Sequence, residues 1–311
     1  MFVFVNVVIR NFYIFIYYSK PFFRRFYLKR RLVLYFLFLF TVFSLLFLAI
    51  ACTSCNRSFN QSTPPAPVSY PISNERKLPI YSVQTEKPQI AITFDSAWGV
   101  EDLDAVLSSL KEASAPACFF VTGEWIEKYP DAIKKILSSG HEIGNHGDNH
   151  KHMNQLSMEE CKKEIAGCHA KLKKLTGNDM SFFRAPYGEY NNTVVEAATQ
   201  SGYQTIQWSV DSLDWKNYGT ANLINTVIHH KDLENGAILL LHNGTTYTAE
   251  ALPSLLQALK EKGYDFVSLK RLILKDQYSI DHTGKQIPAK AQTRTTLIPF
   301  YFSLLNMPYK R

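Results

Sequence analysis

From residue 88 onward, apolar runs of strand length alternate with stretches of helical periodicity, a pattern that leads to repeated βα units around a parallel sheet. The runs are residues 90–94, 117–121, 182–183, 205–210, 237–241 and 266–269. Between them, Leu103, Val106, Leu107 and Leu110 share one helical face, as do Leu252, Leu255, Leu256 and Leu259. Ser157 and Glu160 predict a capping box that opens the helix carrying Cys161, Ile165 and Cys168, and Gly140 reads as a helix stop. With 14 Gly, 14 Pro and 20% charged residues in 311, the chain has globular rather than fibrous or disordered composition.

In a parallel β/α fold, the ends of different strands converge on one face, so polar residues that follow strands are candidates for chemistry. Asp95 follows the first run, His146 and His150 a short extended stretch, and Arg184 the run at 182–183. Asp211, Asp214 and Trp215 follow residues 205–210, and His242 follows a run of Leu. Two histidines four apart in a Gly/Asn/Asp loop suit a divalent metal such as zinc, although such a pair is also often only solvated; His152 reads as the solvated one. Asp95 is a general base or a helix cap. Arg184 closes an apolar strand and so needs an inward anionic partner. His242 is a general acid or a satisfied core histidine, and Asp214 a carboxylate to orient it or part of a turn.

Charge is distributed unevenly. Residues 1–74 hold eight of the 34 Lys/Arg and none of the 27 Asp/Glu, so the remainder is close to neutral, which argues against a nucleic-acid-binding domain. Arg24, Arg25, Lys29, Arg30 and Arg31 precede an uncharged apolar run at 32–51, long enough to span a bilayer. The one-sided basic flank predicts a cytoplasmic segment at 1–31, a transmembrane anchor at 32–51 and the rest outside. Cleavage as a signal segment, or lipidation at Cys52, are the alternatives. Residues 52–87, with Pro64, Pro65, Pro67, Pro71 and Pro79 among Ser and Thr, read as a tether. Cys118, Cys161 and Cys168 read as core residues, not as a disulfide framework.

Taken together, Thr93-Phe-Asp95, His146-Gly-Asp-Asn-His150, Arg184-Ala-Pro-Tyr-Gly188, Asp211-Ser-Leu-Asp-Trp215 and Leu240-Leu-His242 resemble, in order, the five motifs of the polysaccharide deacetylases. This is the NodB-homology or carbohydrate esterase 4 family. The resemblance spans about residues 88–275 and leaves the tail 276–311 without a role. The opening Thr-Phe-Asp-x-x-Trp-Gly is similar to the membrane-anchored, sporulation-associated branch. The resemblance implies a distorted (β/α) barrel, here preceded by the transmembrane helix, that removes N-acetyl groups from cell-wall glycan. It implies that His146 and His150 hold zinc or cobalt, that Asp95, oriented by Arg184, is the base, and that His242, oriented by Asp214, is the acid. Tyr187 would supply an oxyanion donor, and Trp215 and Leu240 would line the substrate pocket. One position departs. Where the family commonly has a second Asp completing the metal triad, this chain has Ser96, a poor substitute for an anionic ligand. Asp148 and Asp211 are candidate replacements. A non-catalytic glycan-binding or wall-assembly protein on the same fold is therefore the second reading. A glycosidase is disfavoured, because the motifs offer a histidine acid instead of a carboxylate pair.

Overall fold

The computed structural model describes residues 76–289. The expected cytoplasmic segment, the 32–51 anchor and the apolar residues 297–305 lie outside them. Among the described residues, no helix is long and apolar enough to cross a membrane.

The central sheet has the order β6 (Gln204–Thr205), β5 (Phe182–Phe183), β4 (Glu142–Asn145), β3 (Ala117–Val121), β2 (Gln89–Ser96), β8 (Ile238–His242) and β7 (Val210–Asp211). A further strand, β9 (Asp265–Phe266), pairs with the start of β2. Every pairing in this sheet is parallel. Parallel strands are covered on both faces and therefore read as continuous apolar runs; β3 is Ala-Cys-Phe-Phe-Val with every residue buried. Alternate residues part to two cores. Ile90, Ile92 and Phe94 pack under the helices with Leu103 of α1 (Leu103–Glu112) and Leu252 of α7 (Thr248–Glu261). Ala91, Cys118, Phe120, Ile206 and Ile238 turn inward to a lumen. The sheet is thus a curled parallel half-barrel with helices outside, in agreement with the parallel sheet expected from the pattern and with the distorted barrel that the resemblance implies.

Register decides where the polar residues land. Asp95 is paired with His242 on one side and with Phe120 on the other, and Asn145 with Phe183. The residues that follow these strands therefore share one rim.

The run at 205–210 is not one strand. β6 ends at Thr205 on one edge of the sheet and β7 begins at Val210 beside β8 on the other, so the intervening residues cross the open side. Ile80 fills that opening: its N–H donates to the Thr205 carbonyl at 2.8 Å, and its carbonyl accepts from Gln207 at 2.7 Å. β1 (Ser82–Val83) continues from it and pairs with β11 (Lys285–Pro288), which forms a hairpin with β10 (Tyr278–Ile280). The folded unit therefore includes residues on both sides of 88–275. The run at 266–269 likewise divides into the end of β9 and the start of α8 (Leu269–Leu272). The capping box at Ser157 and Glu160 is formed and opens α4 (Met158–Thr176), which ends at Gly177 in a left-handed cap. Cys118, Cys161 and Cys168 are free thiols with no exposed surface.

Candidate functional site

At the rim, Arg184 is buried and its guanidinium fork is filled. Nη1 donates to Asp95 Oδ1 at 2.7 Å, and Nη2 donates to Thr93 Oγ1 at 2.9 Å and to the Gln207 carbonyl at 3.0 Å. Phe120 lies 4.1 Å from the guanidinium carbon and Trp208 5.4 Å, one aromatic contact at each ring. The inward partner expected for Arg184 is Asp95. Burial works to raise the Asp95 carboxyl, but the charge of Arg184, with His146 and His242 nearby, outweighs it and holds the group below its ordinary range. Asp95 is therefore anionic at neutral pH.

His146 follows β4 and is buried. Its Nδ1 lies 2.9 Å from the Arg184 carbonyl, which can only accept, so Nδ1 carries the proton and Nε2 keeps its lone pair. That Nε2 is 3.6 Å from Asp95 Oδ2. Burial lowers the His146 pKa, so the contact is between a neutral imidazole and a carboxylate. The His150 ring is centred 5.1 Å from that of His146, and its pKa is pushed down to about 4 by burial and by His146. Two neutral imidazoles side by side have the protonation state that a metal requires.

The loop between them is strained and clamped. His150 has φ 51° and Gly147 φ 78°. Glu164 of α4, buried, accepts the Asn149 backbone N–H at 2.8 Å and the Asn149 amide at 2.9 Å, and pairs with Lys151 at 2.8 Å. Asp148 turns away from the histidines: its Oδ1 pairs with Lys171 at 2.9 Å, and a Cβ on Gly123 or Gly167 would strike its carboxylate. It cannot replace the missing ligand from there. Asp211 does line the cleft, but Oδ1 accepts the Leu213 N–H at 2.9 Å and burial raises its pKa, so it is the weaker anion of the site. Ser96 is fully buried and its Oγ has no hydrogen-bond partner. Among the described residues, no group of three His, Cys, Asp or Glu side chains is placed to hold a metal. The donor set is two imidazoles and so does not fit the Asp-His-His centre that the resemblance implies.

On the neighbouring strand β8, His242 Nδ1 donates to Asp214 Oδ1 at 2.7 Å and the His242 N–H to Asp214 Oδ2, also at 2.7 Å. Thr248 Oγ1 donates to the same Oδ2 at 2.7 Å, which fixes the carboxylate at the start of α7. Burial works to lower the His242 pKa, but the Asp214 hydrogen bond and charge, with Asp95 and Asp211, raise it on balance. Nε2 is left as the exchangeable position. A cleft of about 580 Å³ holds Asp95, His146, His150 and His242 together, with Leu240 at its floor and Trp215 and Tyr187 half-exposed at its mouth. Tyr187 has φ 59° in the turn Pro186–Gly188, and a Cβ on Gly188 would come within 2.7 Å of the Trp208 ring, so the backbone passes close under that indole.

Three residues escaped the sequence reading. Trp98 and Trp208 line the cleft, and a strand-end aromatic in Asp-Ser-Ala-Trp-Gly was a signal for the first. His152 is not simply solvated: its ring stacks on Tyr187 with centroids 4.3 Å apart, and Nδ1 bonds Glu189 at 2.9 Å. A histidine in a polar loop gives no signal for a partner 35 residues away in sequence.

Residues 82–206 match the family described as polysaccharide deacetylase. The chain is 35% identical over 198 residues to a peptidoglycan-N-acetylglucosamine deacetylase of Bacillus cereus, covering 62% of this chain and 92% of that one. It is 31% identical over 223 residues to the peptidoglycan-N-acetylmuramic acid deacetylase PdaA of Bacillus subtilis, covering 71% and 85%. An uncharacterized Bacillus subtilis protein, YlxY, is 32% identical over 195 residues; the match covers 63% of this chain and 60% of YlxY. Among solved structures, a CE4 family pseudoenzyme from Bacillus anthracis superposes with a TM-score of 0.60 at 32% identity, covering 62% of this chain and 68% of that one.

Proposed function

The chain belongs to the polysaccharide deacetylase family, and on that premise we propose that it hydrolyses N-acetyl groups of cell-wall glycan, the amino sugars of peptidoglycan. The observation that carries the reading is the presence of two prepared groups in one cleft: an ionised Asp95 held by Arg184, and a His242 whose proton is held by Asp214. Asp95 takes the proton of a water attacking the acetamide carbon. The backbone N–H of Tyr187, at the strained turn, donates to the developing oxyanion. His242 gives a proton to the sugar nitrogen as the C–N bond breaks, so amine and acetate leave. Leu240 meets the acetyl methyl, and Trp215 the sugar face.

Zinc or cobalt would find His146 and His150 but an uncharged Ser96 in the third place. The Asp95–Arg184 and His242–Asp214 pairs themselves are formed by the chain's own residues. The same serine favours a second reading, a glycan-binding or wall-assembly protein with weak or no hydrolysis. Residues 32–51 would anchor the chain with this domain outside the membrane, and the Thr-Phe-Asp-x-x-Trp-Gly opening supports a role at the spore wall.

The test is acetate release from N-acetylated peptidoglycan fragments by the full chain, with and without zinc or cobalt, and with Asp95→Asn as control. Release that is lost in Asp95→Asn supports the deacetylase. Glycan binding without release under any metal moves the assignment to the second reading.

A further inference from the structure

Trp98 exposes about half of its surface, 51%, at the mouth of the cleft, yet it is not loosely held. Its ring centroid is 5.7 Å from His150 and 5.8 Å from His242, so one indole touches a residue of each half of the reaction centre. The turn behind it is locked. The Gly99 carbonyl accepts Asn243 Nδ2 at 2.7 Å and Trp125 Nε1 at 3.2 Å. Both carboxylate oxygens of Asp102 accept the Gly244 N–H at 2.9 Å. Gly244 has φ 78°, and a Cβ there would sit 3.0 Å from the Gly99 nitrogen, so the segments that follow β2 and β8 touch backbone to backbone. A large apolar ring is thus presented to solvent on a rigid support, which is the arrangement of a preorganised binding surface and not of a packed core residue.

We propose that Trp98 is a specificity-determining platform on which the acetylated pyranose ring lies while its acetamide reaches between Asp95 and His242. This rests on the reading of the cleft as a deacetylase site and adds to it where the sugar must be. An acetamide nitrogen within reach of His242 carries its sugar ring a few ångströms away, and the indole against His242 is the flat apolar surface at that place. Trp215, also half-exposed in the same cleft, would meet the other face of that ring, and Tyr187 would serve the rest of the glycan. The ligand class is a β-linked oligomer of N-acetylated amino sugars, recognised by its apolar ring face.

The experiment uses the full chain and the Trp98→Ala and Trp98→Phe variants. It reads the dissociation constant for N-acetylglucosamine tetramer by calorimetry, and KM and kcat for acetate release. Because Trp98 is half-exposed, the variants are expected to fold, and thermal melting checks this. Trp98→Ala is expected to raise both KM and the dissociation constant about tenfold, roughly what one aromatic contact surface is worth. kcat should change less than about threefold, and Trp98→Phe should recover most of the affinity. Unchanged binding in Trp98→Ala overturns the proposal, as does a fall in kcat at constant KM, which would make the indole a support for the histidines only. A wild-type chain that binds the tetramer through Trp98 but releases no acetate upholds the platform while the deacetylase reading fails. Wild type that neither binds nor hydrolyses overturns both.

Discussion

Replacing Arg184 with Met should be the most damaging single change in the site, because it breaks a buried ion pair from one side. Asp95 would keep a carboxylate without exposed surface of consequence, and with only the neutral His146 Nε2 at 3.6 Å. The Thr93 hydroxyl and the Gln207 carbonyl would lose a donor as well. Removing one partner of a buried pair costs about 3–5 kcal/mol. With a urea m-value of about 2 kcal/mol/M for a domain of this size, the unfolding midpoint should fall by about 2 M at pH 7. The pH dependence carries a sign. In the wild type the folded Asp95 pKa lies below its ordinary 3.8, so its contribution is present above that value and is lost as pH falls through the folded pKa. In Arg184→Met the burial that raises the pKa loses its largest opposing charge, so the carboxyl takes a proton at a higher pH and the penalty lessens on acidification. The midpoint gap between the two proteins should therefore narrow from pH 7 towards pH 4. Equilibrium urea titrations at several pH values measure it. A midpoint shift below about 0.5 M at pH 7, or a gap that widens on acidification, would refute the assignment of Asp95 as an anion dependent on Arg184.

Other outcomes follow from the same geometry. Ser96→Asp should supply the missing anionic donor, tightening zinc binding by tenfold or more in calorimetry; equal affinity in both proteins would mean that the position does not face the two imidazoles. Asp214→Asn removes the interaction that raises the His242 pKa, so the alkaline limb of the acetate-release profile should move to lower pH; an unmoved limb would remove His242 as the acid. Glu164→Ala takes the acceptor from the Asn149 N–H and from Lys151, and should destabilise the fold by about 1–3 kcal/mol with faster amide exchange at Asn149. Unchanged exchange there would show that the loop holds its strained His150 without the clamp.

Much of the site was legible because strand ends and register are coupled. Asp95 and His242 each follow an apolar strand and so were expected at the converging strand ends, and the structure pairs these two residues directly. What could not be read rests on short or polar strands. β4 is Glu-Ile-Gly-Asn, too short and mixed to show a period, and Gly144 is there because any side chain would strike the Phe120 ring. β11 is Lys-Gln-Ile-Pro, whose place comes from pairing with Ser82 and Val83 about two hundred residues earlier. The division of 205–210 is equally non-local, since Ile80 decides where the sheet opens. The direction taken by Asp148 depends on Lys171, one helix away, and on two glycines that leave room for the carboxylate.

The pairing of β1 with β11 gives the domain a vectorial problem during synthesis. Every residue of the proposed acid–base apparatus has been synthesised once Thr248 has, but the hairpin that pairs with Ser82–Val83 arrives only with Lys285–Pro288. Until that hairpin forms, Ile280 is missing from the inner core of Phe120, Ile206 and Ile238 against which it packs. A nascent chain stalled after residue 275 should thus be held by chaperones and cleaved readily by protease, whereas one extended past residue 289 should resist. Contacts of such high sequence separation form late and slowly, so the final dozen described residues act as the latch of the fold rather than as its trailing edge.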